Sequence, residues 1–261
     1  MSEEVLERRD GGVRWITLNR PDVKNAISPD QRNRVIDLLE QAGGDSETRC
    51  VVLTGSGGSF CSGADLRASR SDDAEPVSVS QTIREGAQRL ISAILDCPKP
   101  VIAAADGVAA GIGAHIAFAC DLVIASDKAR FIEVFMRRAL VPDGGGAHLL
   151  IRLIGPHRAK ELVFFGDAVS AKDAQDLGLV NRVVPADDLE ATAAEWAGRL
   201  AKGPTATLAL AKKLLNSAHD IDRSAAFEQE ALAQEENMKT EDAQEGVKSF
   251  VERREPDFKG R

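Results

Sequence analysis

Closely spaced metal or redox ligands are absent from this sequence. Its 261 residues include only four cysteines and four histidines, and no CxxC, HxxxH or HExxH spacing brings them together. The cysteines lie in or beside apolar segments, as is typical of reduced structural thiols. We therefore expect neither a metal site nor a disulfide framework. The four cysteines are Cys50, Cys61, Cys97 and Cys120.

Basic runs and long apolar stretches are also missing. The formal net charge is −8, and no Lys/Arg run of the kind that follows phosphates occurs, so we expect no nucleic-acid partner. No stretch has the length of a membrane span, and the opening MSEEVLERR is too acidic and too polar for a signal peptide. These absences predict a cytoplasmic protein with no membrane partner.

What is present predicts an α/β body followed by helices. Hydrophobic residues make up 43% of the chain, enough to bury a large core. Strand and helix patterns alternate up to about Asp187 and become wholly helical afterwards. We expect a body over 1–200 and a helical region over 201–261. The predicted elements are a hairpin over 3–19, a helix capped by Ser28, strands at 50–53, 101–105, 122–125 and 129–132, a polar surface loop over 67–76 and a helix over 77–96.

The central stretch is KPVIAAADGVAAGIGAHIAFACD, residues 99–121. It predicts a buried strand, a tight turn and a helix that begins near Gly111. The first turn of a helix has unpaired N–H groups, and glycine lets such groups approach a ligand closely. This place can hold a developing negative charge, or the glycines serve only close packing of helix on strand.

A second glycine-rich segment, TGSGGSFCSGAD, follows the strand at 50–53. Its position invites a nucleotide-binding interpretation. However, it contains no GKS or GKT, no GxGxxG and no GxSxG, so we reject both a phosphate loop and a nucleophile elbow.

Asp143 stands in LVPDGGG, directly before an apolar helix that Gly155-Pro156 closes. An aspartate immediately before a helix is most often an N-cap, because its carboxylate accepts the unpaired backbone N–H groups. The residues alone favour that role.

Four motifs occur together in order. They are ITLNRPDVKNAIS, VVLTGSGGSFCSGADL, KPVIAAADGVAAGIGAHIAFACDLVIAS, and a long segment that begins LVPDGGGAHLLIRLIG and runs to NRVV. Together they resemble the crotonase superfamily, the enoyl-CoA hydratase/isomerase family, over nearly the whole chain. The resemblance implies a spiral of ββα turns with a C-terminal helical trimerisation region, a homotrimer or a dimer of trimers, and an acyl-CoA thioester as ligand. Coenzyme A would then be part of the substrate, with no separate cofactor.

Carried over to this chain, the family's oxyanion hole consists of the backbone N–H groups of Ala64 and Ile112. These would hold the thioester oxygen as it becomes an enolate. A lysine common in the family's first loop falls at Asp22 here, and Lys24 is the substitute. The resemblance implies a substrate-binding set of Lys24, Ala26, Ser62, Gly63, Asp65, Leu66, Gly111 and Phe135.

Both catalytic glutamates of the family's hydratases are absent. Their positions are occupied by His115 and Phe135. Hydration needs one group to deprotonate water while another protonates the α-carbon, so ordinary hydration is not expected. Glu133 is close in sequence, and its side chain points the same way as Phe135 only if the strand register is kept.

In several isomerase branches of the family an aspartate in the Asp143 position is the proton shuttle. One carboxylate is sufficient to move a proton from C2 to C4, and partial burial would raise its pKa toward neutrality. With this context we expect Asp143 to be catalytic, and a double-bond isomerase is the favoured function. The absence of tyrosine disfavours branches that depend on a tyrosine hydroxyl.

His115 follows Gly111 by one helical turn, so both can face the acyl pocket. It is either a satisfied core histidine or a second acid/base group that acts with Asp143. The second role leaves an alternative open, an enoyl-CoA hydratase or a hydrolase of a CoA thioester or diketone. A further alternative is a non-catalytic CoA-binding subunit.

Overall fold

The computed structural model describes residues 3–67 and 78–261, in which nine strands form two sheets. The strands are β1 Val5–Asp10, β2 Val13–Leu18, β3 Cys50–Gly55, β4 Val101–Ala105, β5 Val108–Ala110, β6 Leu122–Ser126, β7 Arg130–Ile132, β8 Ala168–Ser170 and β9 Arg182–Val184. The larger sheet has the order β1-β2-β3-β4-β6-β9, and the smaller has the order β5-β7-β8. The predicted hairpin and the strands at 50–53, 101–105, 122–125 and 129–132 are confirmed, whereas β5, β8 and β9 were not predicted.

The helices are α1 Pro29–Gly44, α2 Val79–Ile83, α3 Arg89–Leu95, α4 Ile112–Ala119, α5 Gly146–Phe165, α6 Ala171–Asp176, α7 Leu189–Ala201, α8 Thr205–Ser217, α9 Arg223–Asn237 and α10 Glu241–Glu252. A π-helical turn, Arg84–Gln88, joins α2 to α3, in agreement with the helix predicted over 77–96. Gly155 interrupts α5 with φ 73° and ψ 168°, where the sequence predicted a helix end, and a second helix follows. None of the helices in the described ranges combines the length and apolar character of a membrane span.

Three successive ββα turns form the body. In each turn, one strand enters the large sheet, a second segment enters the small layer and a helix returns. The large-sheet strands β3, β4 and β6 are parallel neighbours. In the small layer, Cys61 bridges Ala109 of β5 in parallel, and β5 pairs with β7 in parallel. The predicted spiral of ββα turns is therefore confirmed.

Local sequence explains where α1 begins. The Ser28 side chain accepts the N–H of Gln31, and the Gln31 side chain accepts the N–H of Ser28, which completes a capping box with Pro29 in the first turn. The predicted Ser28 cap is confirmed. The apolar face of α1 is buried in the main core, as its periodicity predicts.

Helix α4 lies wholly inside the fold. All eight of its residues are buried, and it packs against the main core between the two sheets. Its approach to the backbone after β3 is so close that a Cβ on Gly113 would lie 2.1 Å from the carbonyl oxygen of Cys61. Only glycine fits there, because no real Cβ contact is so short.

A second core lies on the opposite face of the large sheet, where α7 covers β2, β3, β4 and β6. The helices from α8 onward match the predicted helical region, and Lys212 ties α8 to the body by donating to the carbonyl of Ile94 and to Asp121. The domain division at residue 200 and trimerisation through this region stay predictions. The predicted loop over 67–76 lies, apart from Arg67, outside the described residues.

We predict that Gly113→Ala destabilises the fold by about 1–3 kcal/mol, the usual cost of overpacking a core, because the new methyl group would overlap backbone. Gly44→Ala is the matched control, since a Cβ at that helix end meets nothing within 4 Å. The control should be neutral or slightly stabilising. Urea denaturation of both variants measures the difference, and equal midpoints would refute the proposed contact.

Candidate active site

In the segment after β3, the N–H of Ala64 points away from the neighbouring segment around Ile27. Gly63 accepts the N–H of Ile27 at 2.8 Å, and Asp65 donates its N–H to Ile27 at 3.0 Å. In a parallel bridge successive residues present their backbone groups to opposite sides, so the Ala64 N–H points away from Ile27. Ala64 is also exposed. Its N–H has no acceptor among the residues described here.

A second free N–H belongs to Ile112, the first residue of α4. The preceding residue, Gly111, has φ 53° and ψ −126°, a conformation that a side chain would strain. Gly111 donates its own N–H to Ile132, and its carbonyl accepts from Ala114 and His115. The Ile112 N–H has no recorded acceptor within the described ranges, and it lies at the positive end of the helix dipole.

The backbone brings these two donors into neighbouring segments. Ala110 donates its N–H to Cys61 at 2.9 Å, and a Cβ on Gly63 would lie 3.1 Å from the Ala110 oxygen. With Gly113 against Cys61, the segments 61–64 and 110–113 run side by side. The two N–H groups therefore lie on adjacent segments, and preorganised donors of this kind are able to stabilise a developing oxyanion.

Most of the residues expected to bind substrate lie beside this arrangement. Ser62 donates its N–H to the carbonyl of Lys24, which connects the first loop to the segment before Ala64. Arg20 donates from one guanidinium nitrogen to both the Ala26 carbonyl and the Asp65 carboxylate. The side chains of Lys24 and Leu66 are exposed, so both are accessible to a ligand.

Asp143 lies in the turn that covers the start of α4. A Cβ on the next residue, Gly144, would come within 2.4 Å of the Ile112 side chain. Gly145, not Asp143, is the N-cap of α5, and no side chain caps that helix. The N-cap interpretation of Asp143 is therefore wrong: its carbonyl accepts the Gly146 N–H, and its carboxyl is left half-buried at the site.

Burial shifts the ionisation of this carboxyl. It raises the pKa of Asp143 above the usual value of 3.8, because the charged form loses solvation, and the charge of His115 opposes the rise. A half-buried carboxyl with a raised pKa is a better base than an ordinary surface aspartate.

His115 is fully buried one helical turn after Gly111, and it faces Glu133 rather than solvent. Its Nε2 lies 3.0 and 3.1 Å from the two carboxylate oxygens of Glu133, which is itself only 3% exposed. The Phe135 ring stacks on the imidazole at 5.3 Å with a 9° interplanar angle. Glu133 and Phe135 thus both reach the same ring.

The other ring nitrogen, Nδ1 of His115, is buried and has no hydrogen-bond partner within residues 3–67 and 78–261. The ring lies directly beneath the Asp143 turn, because a Cβ on Gly146 would lie 2.2 Å from Cε1 and one on Gly144 would lie 3.8 Å from Nδ1. His115 is therefore buried like a core histidine, but its hydrogen-bonding capacity is not fully satisfied. Its free nitrogen borders the site.

The sequence did not predict that Glu133 pairs with His115. The two-residue spacing between Glu133 and Phe135 is typical of side chains on one face of a strand. Strand β7 ends at Ile132, however, so periodicity alone could not show that both contact a residue of α4.

The comparisons with known proteins agree with this geometry. The family model for enoyl-CoA hydratase/isomerase matches residues 8–261. A Rhodobacter capsulatus protein named "Probable enoyl-CoA hydratase" is 40% identical over 250 residues, which is 96% of this chain and 95% of that protein. The Escherichia coli 1,2-epoxyphenylacetyl-CoA isomerase is 36% identical, with 100% of both chains covered.

A solved structure agrees in its whole architecture. The enoyl-CoA hydratase of Bacillus anthracis superimposes with a TM-score of 0.92 at 33% identity, and the match covers 99% of this chain and 100% of that one. The identity is well above the level at which only a fold is shared. The chain belongs to the enoyl-CoA hydratase/isomerase family of the crotonase superfamily.

Proposed function

We propose that this protein is an enoyl-CoA double-bond isomerase in which Asp143 is the proton shuttle. The observation that carries the proposal is the state of the two nearby carboxylates. Both oxygens of Glu133 face Nε2 of His115 in a buried pair, whereas Asp143 is half-buried with a raised pKa. One carboxylate is therefore left for acid/base work, and a 1,3-proton shift needs only one.

The proposed reaction is a 1,3-proton shift. The Asp143 carboxylate removes a proton from C2 of a 3-enoyl thioester, and the electron pair delocalises toward the thioester oxygen. The N–H groups of Ala64 and Ile112 hold the oxygen of the resulting dienolate, a contribution worth about 10²–10³ in rate for each donor in comparable sites. The protonated Asp143 then returns the proton at C4. No water is consumed, and no cofactor is required.

The coenzyme A arm would cross the segments around Lys24, Ala26, Ser62, Gly63, Asp65 and Leu66. Gly111 and Phe135 would lie nearer the acyl end, Gly111 by presenting Ile112 and Phe135 by packing over the His115 ring. We propose that the helices from α8 to α10 assemble this chain into a homotrimer or a dimer of trimers. Their exposed apolar side chains, among them Phe227, Phe250 and Val251, support that assembly.

A second candidate is hydration or hydrolysis in which His115 and Asp143 act together. The unpartnered Nδ1 of His115 favours it, because a buried polar atom next to the site could hold a water molecule. The name of the R. capsulatus relative also favours hydration. The observation against this candidate is that both oxygens of Glu133 pair with His115. The site then lacks the two free carboxylates that hydratases of the family use.

The first prediction of the proposed function concerns turnover. Wild-type protein should convert 3-enoyl-CoA to 2-enoyl-CoA without a change in mass, as followed by absorbance and mass spectrometry. Asp143→Asn should lose at least about 10²-fold in kcat, the lower range for a positioned acid/base group, whereas His115→Ala should lose only about 10-fold because the proton shuttle itself remains.

Other results decide between the candidates. A gain of 18 mass units that requires both Asp143 and His115 would overturn the isomerase and favour the hydratase. Acyl-CoA binding that survives in wild type and Asp143→Asn, with no turnover of 2-enoyl or 3-enoyl substrates, would favour a non-catalytic CoA-binding subunit.

The second prediction concerns pH. Because Asp143 acts as a base only when ionised, kcat/KM should fall as pH drops through its raised pKa, at a pH above the usual 3.8. His115→Gln removes the charge that opposes the rise, so its acid limb should move to higher pH. A limb at or below the ordinary aspartate value, or one that moves to lower pH in the variant, would contradict the assignment.

The third prediction concerns stability. A carboxyl whose pKa is higher in the folded state favours folding in its protonated form, and that contribution is lost as pH rises through the folded pKa. Asp143→Asn removes the buried charge, so at pH 7 it should be at least as stable as wild type. The difference should disappear below the unfolded aspartate pKa. Urea denaturation at pH 7 and at low pH measures it, and a less stable variant at pH 7 would contradict the sign.

A further inference from the structure

The pair formed by Glu133 and His115 has no role in the reaction as written above. Both side chains are buried, Glu133 at 3% and His115 at 0% exposure. They connect the residue that follows β7 to the middle of α4. A buried polar pair of this kind is costly to desolvate, and well-packed apolar residues of similar size are often as stable or more so. Stability alone therefore gives little reason for it.

The pairing determines which ring nitrogen is free. Both Glu133 oxygens lie within hydrogen-bonding distance of Nε2, so an ionised Glu133 requires the proton of the ring to be on Nε2. Nδ1 is then the atom left for the site. It is buried, has no partner among the described residues, and lies on the side of the ring next to Gly144.

The surroundings of the ring leave it little freedom. Phe135 stacks on the imidazole, and the ring fills the space that a Cβ on Gly146 would need. Asp143 lies one residue before Gly144 and three residues before Gly146, in the same turn as the glycines that contact the ring. The free nitrogen of a ring fixed in this way therefore lies beside the turn that carries the Asp143 carboxyl.

We propose that Glu133 is a positioning residue: it fixes the orientation of His115 and keeps the ring proton on Nε2, and the unprotonated Nδ1 in turn accepts a hydrogen bond from the Asp143 carboxyl while that carboxyl carries the transferred proton. The proposal rests on Asp143 being the proton shuttle. Glu133 does not touch substrate and is not a catalytic residue. Its effect passes through His115, and this dependence distinguishes it from an independent contribution to folding.

Glu133→Gln is the direct test, because glutamine keeps the size of the side chain while presenting one acceptor and one donor. Either ring nitrogen can then carry the proton. We expect kcat to fall roughly 10-fold with little change in KM, the scale of a modest misplacement of a reacting group. Asp242→Asn is the matched control, because Asp242 is another buried carboxylate. It lies on α10 and accepts the N–H groups of Lys259 and Gly260 in the C-terminal segment. The control should leave kcat unchanged.

A double-mutant cycle tests the dependence on His115. Glu133→Gln combined with His115→Gln should have the kcat of His115→Gln alone, within about twofold, because the first change acts only through the second residue. If the losses in kcat of the two single variants multiplied in the double variant, the proposal would be overturned. An unchanged kcat in Glu133→Gln would also overturn it.

A spectroscopic measurement keeps the proposal testable without turnover. The chain has only four histidines, so ¹⁵N NMR of the imidazoles can be assigned with single variants. Wild type should show His115 protonated at Nε2, and Glu133→Gln should change that signature while the exposed His148, His157 and His219 stay as they were. An unchanged His115 signature would overturn the positioning role. A changed signature in a protein that fails to isomerise would overturn the proposed reaction alone.

Discussion

The contact between the first turn of α4 and the backbone of Cys61 is the constraint on which the site depends. Gly113 lies so close to the Cys61 carbonyl that no side chain fits between them. That contact places segments 61–64 and 110–113 side by side, and the N–H groups of Ala64 and Ile112 have no acceptor among the described residues. It also determines the direction of α4, and with it the position of His115 one turn further on. A single close approach of backbone to backbone therefore positions both the donors and the imidazole.

A free N–H inside a protein is a cost that most structures avoid, since an unpaired buried donor loses its hydration without gaining a partner. Here the two donors are at an exposed alanine and at the first turn of a helix, where unpaired N–H groups are unavoidable. The spiral supplies both as a consequence of how its strands and helix join. The proposed oxyanion site thus places positive φ angles at glycines, Gly63 (φ 112°) and Gly111 (φ 53°), which tolerate that conformation.

Much of the architecture could be predicted from the sequence, but not all of it. The Ser28 cap, the paired strands at the start and the central strand–turn–helix follow from local rules, and the structure has them. The three-residue strands β5, β8 and β9 are too short for any periodicity to show, and they form because the neighbouring turns bring partners to them. Asp143 looked like an N-cap because local rules cannot tell which residue of PDGGG begins the helix. The Gly145 cap settles that point.

Glu133 was beyond local reasoning for a different reason. Its partner is 18 residues away, on an element that approaches β7 only through the packing of successive turns. A buried carboxylate has few acceptable states: it is paired, or its pKa rises until it is neutral. With Nε2 of His115 at 3.0 Å, pairing satisfies Glu133 and simultaneously removes it from the chemistry. Within the described residues no ion pair fixes the Asp143 carboxyl in its charged form, and it is half in contact with solvent, so under the proposed function it can change charge without leaving a buried ion behind. Of the two carboxylates, the one without a charge partner is therefore the one that we propose carries a proton between two carbons.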